Sequence, residues 1–229
     1  MEIKILYEDE YLVICEKPIG LPSQLCADGS DSMPKRLSEY FQGKGAEGYV
    51  GVVHRLDTAT GGIIMYSRSE KHTGVISNLV ADGGYKKQYL AVADGEIEQE
   101  NGSMVDFLYH DRIKNKSYAV SGERRGAKRA ELEYEKLAVA ENDRGEKKSL
   151  LKIKLLTGRT HQIRVQLASR RHSLAGDGKY GSRDNRCGTA LWSWRCEFIH
   201  PVTRKMVAAE SLPPRCYPWS VFDISEFSE

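Results

Sequence analysis

Apolar and polar positions alternate along this chain in short blocks, and the blocks predict many strands and few helices. Residues 3–7 and 11–15 read as two short strands around the turn Glu8-Asp9-Glu10. Lys17-Pro18-Ile19-Gly20-Leu21-Pro22 follows as a rigid, kinked loop. Asp31 or Ser32 can cap a helix through Arg36, Leu37, Tyr40 and Phe41. Residues 62–66 form an apolar run that suits a buried strand, and residues 69–80 a helix with Val75, Ile76, Leu79 and Val80 on its apolar side. Further strands are predicted at 87–92, 131–139, 150–156, 192–199 and 206–209, and a helix at 160–169 with Ile163 and Leu167 facing inward. Many strands without regular strand–helix alternation point to an α+β protein with a mixed or antiparallel sheet.

The 229 residues show no internal repeat, low-complexity tract or long linker, so one domain spanning 1–229 is expected. Hydrophobic residues make up 40% and charged ones 29%, as in an ordinary globular protein. No apolar run approaches the ~20 residues that cross a bilayer, and the start of the chain has no secretion signal. Five cysteines without paired spacing read as free thiols of a reducing cytoplasm, with no zinc site. The net charge is only +2, but it is unevenly spread. Residues 147–172 hold eight lysines and arginines and no acid, and a second cluster holds Arg112, Lys114, Lys116, Arg124, Arg125, Lys128 and Arg129. Segregation of this kind either makes a surface that attracts phosphates or reflects two solvated faces.

Candidate chemistry centres on Val53-His54-Arg55-Leu56-Asp57-Thr58-Ala59-Thr60-Gly61-Gly62, which sets one carboxylate in a polar, glycine-ended turn ahead of an apolar strand. His54 and Asp57 lack a third ligand for a metal. Asp57 with His161 lacks the serine or cysteine elbow of a hydrolytic triad. A glycosidase needs a second carboxylate; the candidate, Asp177, sits among glycines that mark a tight turn. Arg164 offers a partner for a buried carboxylate, or is a surface arginine on a helix. Tyr89, beside Lys86 and Lys87, suits stacking on a base or a place in a strand core.

Together these segments resemble the RluA-type pseudouridine synthases. Glu16-Lys17-Pro18-Ile19-Gly20-Leu21 is similar to the family's first motif, and His54-Arg55-Leu56-Asp57 with Thr60 and Gly62 to its catalytic-aspartate motif. Lys87-Gln88-Tyr89-Leu90-Ala91 resembles the segment with the pocket tyrosine. Residues 157–165 resemble the segment with the pocket arginine, and Gly176-Asp177 with Lys179-Tyr180-Gly181 the turn after it. The resemblance covers most of the chain, with its motifs in order. It implies the family's α+β catalytic fold, a mixed, largely antiparallel central sheet with flanking helices. It also implies isomerisation of uridine to pseudouridine in rRNA or tRNA, without cofactor or metal. Asp57, Tyr89 and Arg164 take the catalytic places, with Asp57 as the acid that starts the reaction, Tyr89 stacked on the flipped uracil and Arg164 paired with Asp57. His54, Arg55, Lys87, Arg159 and His161 are expected to contact RNA.

The chain departs from the family pattern at Thr58, Gly61, Gln166 and Leu191-Trp192-Ser193, which bears on substrate preference. The first motif begins by residue 16, so no separate N-terminal RNA-binding domain is expected ahead of it. A monomeric, cytoplasmic enzyme that binds RNA and no membrane is the resulting expectation. The alternative is an RNA-binding module of the same fold without the reaction; a glycoside hydrolase is a remote third.

Overall fold

A computed structural model describes residues 3–123 and 125–227. It confirms the α+β class, with three α-helices among strands that pair almost entirely antiparallel. The chain forms two compact units. One runs through Lys87 and is completed by Trp192–Leu212; the other is Gln88–Leu191 with the residues from Pro213 onward.

In the first unit the strands β1 (Ile5–Glu8), β2 (Leu12–Lys17), β4 (Gly61–Ser67) and β10 (Leu191–Ile199) lie in that order; β3 (Gly51–Val52) pairs with β4 and β11 (Met206–Glu210) with β10. All pairs are antiparallel except β4 with β10, where Gly61 lies opposite Trp192 and Gly62 opposite Ser193. Every residue of β4 is buried, which explains why its apolar run does not alternate: both of its faces are covered. Leu12, Ile14, Ile63, Met65, Cys196 and Phe198 build one core layer, onto which Ile76 packs from α2 (Glu70–Ala81). The predicted apolar side of α2 needs correcting at Val75, which is 47% exposed. Helix α1 (Met33–Gly43) buries Met33, Pro34, Leu37 and Phe41, with Ser32 as its N-cap residue.

The second unit orders β5 (Lys86–Asp94), β9 (Lys147–Leu155), β8 (Ala127–Glu141), β6 (Asn101–Asp111) and β7 (Lys116–Val120), all antiparallel. Strands β6 and β7 are absent from the pattern-based expectation. Their inward face is partly polar, because Asp106 on β6 accepts hydrogen bonds from Gln166 and Arg170. Leu108 of β6 and Ala130 of β8 supply its apolar part, packed on Val165 and Tyr180. Helix α3 (Gln162–Ser169) covers that face and buries Arg164 and Gln166 as well as Ile163 and Leu167. It begins two residues later than predicted, since His161 takes a left-handed backbone with φ 57°. Among the described residues no helix is long and apolar enough to cross a membrane.

Gly62 is the backbone position the fold constrains most tightly. Its φ is +101°, and a Cβ there would sit 2.2 Å from the carbonyl oxygen of Ser193. Two penalties coincide, a left-handed backbone and a clash with an unyielding strand. Gly62→Ala should therefore lower unfolding stability by at least ~2 kcal/mol, read by urea denaturation; an unchanged midpoint would show that β4 and β10 can separate freely at this point.

Candidate active site

Asp57 lies in the turn that enters β4 and is half-buried. The turn closes on itself through the Thr60 amide, which donates to the Asp57 carbonyl at 2.9 Å. It is also stapled to the proline-rich loop ahead of α1. The Gly20 amide donates to the Thr58 carbonyl at 2.8 Å, and the Ser23 hydroxyl to the Leu56 carbonyl at 2.7 Å. Tyr66 on β4 donates in turn to the Ser23 carbonyl at 2.9 Å.

Lys17 is the deepest of these ties. Its side chain is wholly buried, and its ammonium donates to the carbonyls of Pro18 (2.9 Å), Leu21 (2.8 Å) and Thr58 (3.3 Å). Burial pulls its pKa down to about 8, and the nearby charge of Asp57 opposes that pull. One cation thus crosslinks both loops and faces the candidate acid electrostatically. The sequence pattern gives this segment as a kinked loop and assigns Lys17 no role.

His54 corrects one expectation. It was expected at the RNA surface, but it is buried, and its Nε2 accepts the Met65 amide at 3.0 Å. Burial, reinforced by the charge of Lys87, drives its pKa well below the ordinary histidine value, so it is a neutral brace for β4. Lys87 is half-buried, and burial lowers its pKa. Arg55 is exposed, as an RNA contact requires, and reaches Gln24 at 3.4 Å.

In the second unit Tyr89 is buried on β5, opposite Ile153 of β9. Arg164 is buried too, 5% exposed, which rules out the surface arginine. Its Nε and Nη2 each donate at 2.7 Å to the carboxylate of Asp177, itself 1% exposed. Asp177 is therefore more than a turn residue: it is the fixed two-point anchor of the arginine fork. The glycine before it lets this turn lie against the backbone of Gly188, since a Cβ at Gly176 would sit 2.3 Å from the Gly188 carbonyl oxygen. The guanidinium also sits over the Tyr180 ring, 5.1 Å from its centroid.

His161 is a second correction. It is buried, with Nδ1 2.8 Å from the Tyr180 hydroxyl, which accepts the Ser117 amide at 2.8 Å. It orients Tyr180 rather than meeting RNA. Arg159 is exposed, and its Nε donates to the Arg129 carbonyl at 2.9 Å, which fixes the side chain at the surface.

Two measurements follow from these buried charges. Folding lowers the Lys17 pKa from 10.5 to about 8, so between those values the unfolded chain binds the extra proton. Stability relative to Lys17→Met should rise across that window, by up to roughly 3 kcal/mol. Urea unfolding of both proteins at neutral and at alkaline pH checks it; parallel profiles would mean an exposed amine. Asp177→Ala removes the bidentate partner from a buried guanidinium and should cost roughly 3–5 kcal/mol. An unchanged thermal midpoint would count against this anchoring.

Residues 11–169 match the RNA pseudouridylate synthase family. An uncharacterized RNA pseudouridine synthase of Bacillus subtilis, YhcT, is 30% identical over 212 residues, which cover 92% of this chain and 68% of that protein. Ribosomal large subunit pseudouridine synthase D of Zymomonas mobilis is 29% identical over 229 residues, covering 93% and 70%. The fold matches that of human RNA pseudouridylate synthase domain containing 1, with a TM-score of 0.78 at 20% identity over 94% of this chain and 85% of that one. The chain belongs to the RNA pseudouridine synthases, a family of isomerases.

Proposed function

We propose that this chain isomerises uridine in rRNA or tRNA, with Asp57 as the catalytic acid. The observation that carries the reading is the held turn. Asp57 stands on a segment fastened by Lys17, Gly20 and Ser23, the rigid mounting that a reacting group needs. Tyr89 stacks on the uracil, and Arg164, held at two points by Asp177, is the third catalytic residue of this reading.

The reaction is balanced within the nucleoside. The bond from the ribose to the base nitrogen breaks, the base turns, and a new bond forms from the ribose to a ring carbon. That carbon loses its proton and the freed nitrogen gains one, so no electrons enter or leave. A uridine held in folded RNA must first be turned out of its stack, at a cost of a few kcal/mol. Arg55 and Arg159, both exposed, hold adjoining phosphates. The ribosomal substrate named for the relative from Zymomonas mobilis favours rRNA.

Tritium release from bulk RNA labelled at the ring carbon tests the assignment. The wild type should release tritium, and Asp57→Asn should lose the activity while keeping its thermal midpoint and RNA affinity. Equal release by both proteins would refute Asp57 as the acid. Binding without release by either would favour the binding module.

A further inference from the structure

The β6–β7 hairpin has two unlike faces. Alternation puts Met104, Asp106, Leu108, His110, Ser117 and Ala119 on the side of α3. The opposite side carries Val105, Phe107 and Tyr109 on β6, and Val120 and Tyr118 on β7, with Phe107 paired to Val120 and Tyr109 to Tyr118. Val105 is 46% exposed, and the three rings are half-buried, so aromatic surface lies open to solvent.

The tip of the hairpin is equally unusual. Ile113 is 98% exposed in a turn, where a β-branched apolar residue has nothing to pack against. The turn is nevertheless rigid. Asp111 Oδ1 accepts the amides of Ile113 and Lys114, each at 3.0 Å, and Lys179 donates to the Asn115 carbonyl at 3.0 Å. Asp111 is thus occupied internally. Among the described residues no carboxylate forms an ion pair with Arg112, Lys114 or Lys116. The Lys116 ammonium, at the edge of the strand, stands 5.8 Å from the centroid of the Tyr118 ring and 5.3 Å from that of Tyr180. Arg124, which the charge pattern adds to this cluster, lies outside the described residues.

Rings on a sheet face whose tip cations pair with no acid, and whose Glu131 is already paired with Arg129, match unpaired RNA: bases need a flat apolar support and phosphates need positive charge. A protein partner would meet a lysine-rich rim, which protein interfaces disfavour. We propose that the outer face of this hairpin is an RNA-stacking platform. Unpaired bases of the RNA lie on Phe107, Tyr109 and Tyr118, while Arg112, Lys114 and Lys116 hold the phosphates. The inference rests on the reading of the chain as an enzyme of RNA and extends it to single-stranded segments of the substrate.

Fluorescence anisotropy of the full chain with a labelled oligouridylate, and with a blunt RNA duplex, tests the platform. Tyr118→Leu keeps apolar packing but removes the ring. It should weaken oligouridylate binding about ten-fold, while Tyr118→Phe binds as the wild type and duplex binding is unchanged. Lys114→Ala, in the exposed turn, should flatten the salt dependence by about one unit and needs no change in the sheet. Wild-type affinity in Tyr118→Leu, or an equal loss on the duplex, would overturn the proposal. So would a dimer that Tyr118→Leu dissociates in sedimentation, which would give the face to a second copy. A Tyr118-dependent affinity in a protein that releases no tritium would uphold the platform and refute the catalytic reading instead.

Discussion

An ammonium ion with no water around it must be answered by oxygen atoms, and in this protein that demand organises the approach to the candidate acid. Lys17 gathers carbonyls from Pro18, Leu21 and Thr58. None of those groups belongs to a regular ladder, and the Thr58 carbonyl also accepts the Gly20 amide. Meeting the desolvation of one charge therefore sets the path of two loops. The same logic recurs in the second unit, where the carboxylate of Asp177 answers the buried guanidinium of Arg164 at two points. In both places the cation is held from behind by groups that would take no part in reacting, and the rigidity comes from charge burial rather than from side-chain packing alone.

These supports explain which neighbours of the candidate acid stay at the surface and which do not. Along His54-Arg55-Leu56-Asp57, His54 and Leu56 turn inward while Arg55 turns out and Asp57 is half-buried. The inward histidine is neutral and spends its Nε2 on the amide of Met65, so it secures the strand that follows. The second polar turn divides in the same manner: Arg159 stays outside and His161 goes in. Exposure alternates along the first turn, whereas along the second Gly158, Arg159 and Thr160 are all exposed before His161 turns in.

Much of this architecture is legible in the sequence. Apolar runs mark β2, β4, β5, β9 and β10, and their bounds shift by one or two residues, except that β9 starts three residues earlier than expected. The short β3 also has no counterpart in the expectation, while β6 and β7 lack the signal because the core beneath them is partly polar, with Asp106, His110 and Ser117 on the inner side. Tertiary partners that satisfy those groups lie some 40 to 60 residues away, as with Gln166 for Asp106 and Thr160 for Ser117. Motif order marks Asp57, Tyr89 and Arg164 as candidates. Neither Lys17 nor Asp177 is visible as a charge partner, because a lysine before a proline and an aspartate between glycines both read locally as turn chemistry. The burial of His54 and His161 is hidden for the same reason: a histidine in a polar turn carries no local mark of which way its ring faces.

The position of β7 has one consequence for the protein when no RNA is present. It is the last strand of its sheet, bordered by open aromatic surface, and strands of that kind recruit copies of themselves. Lys116 on the strand, with Arg112 and Lys114 at its tip, opposes such pairing through the like charge that every copy carries. The cations thereby act as a colloidal safeguard: they keep a sticky edge in solution, and at high ionic strength that safeguard is screened away.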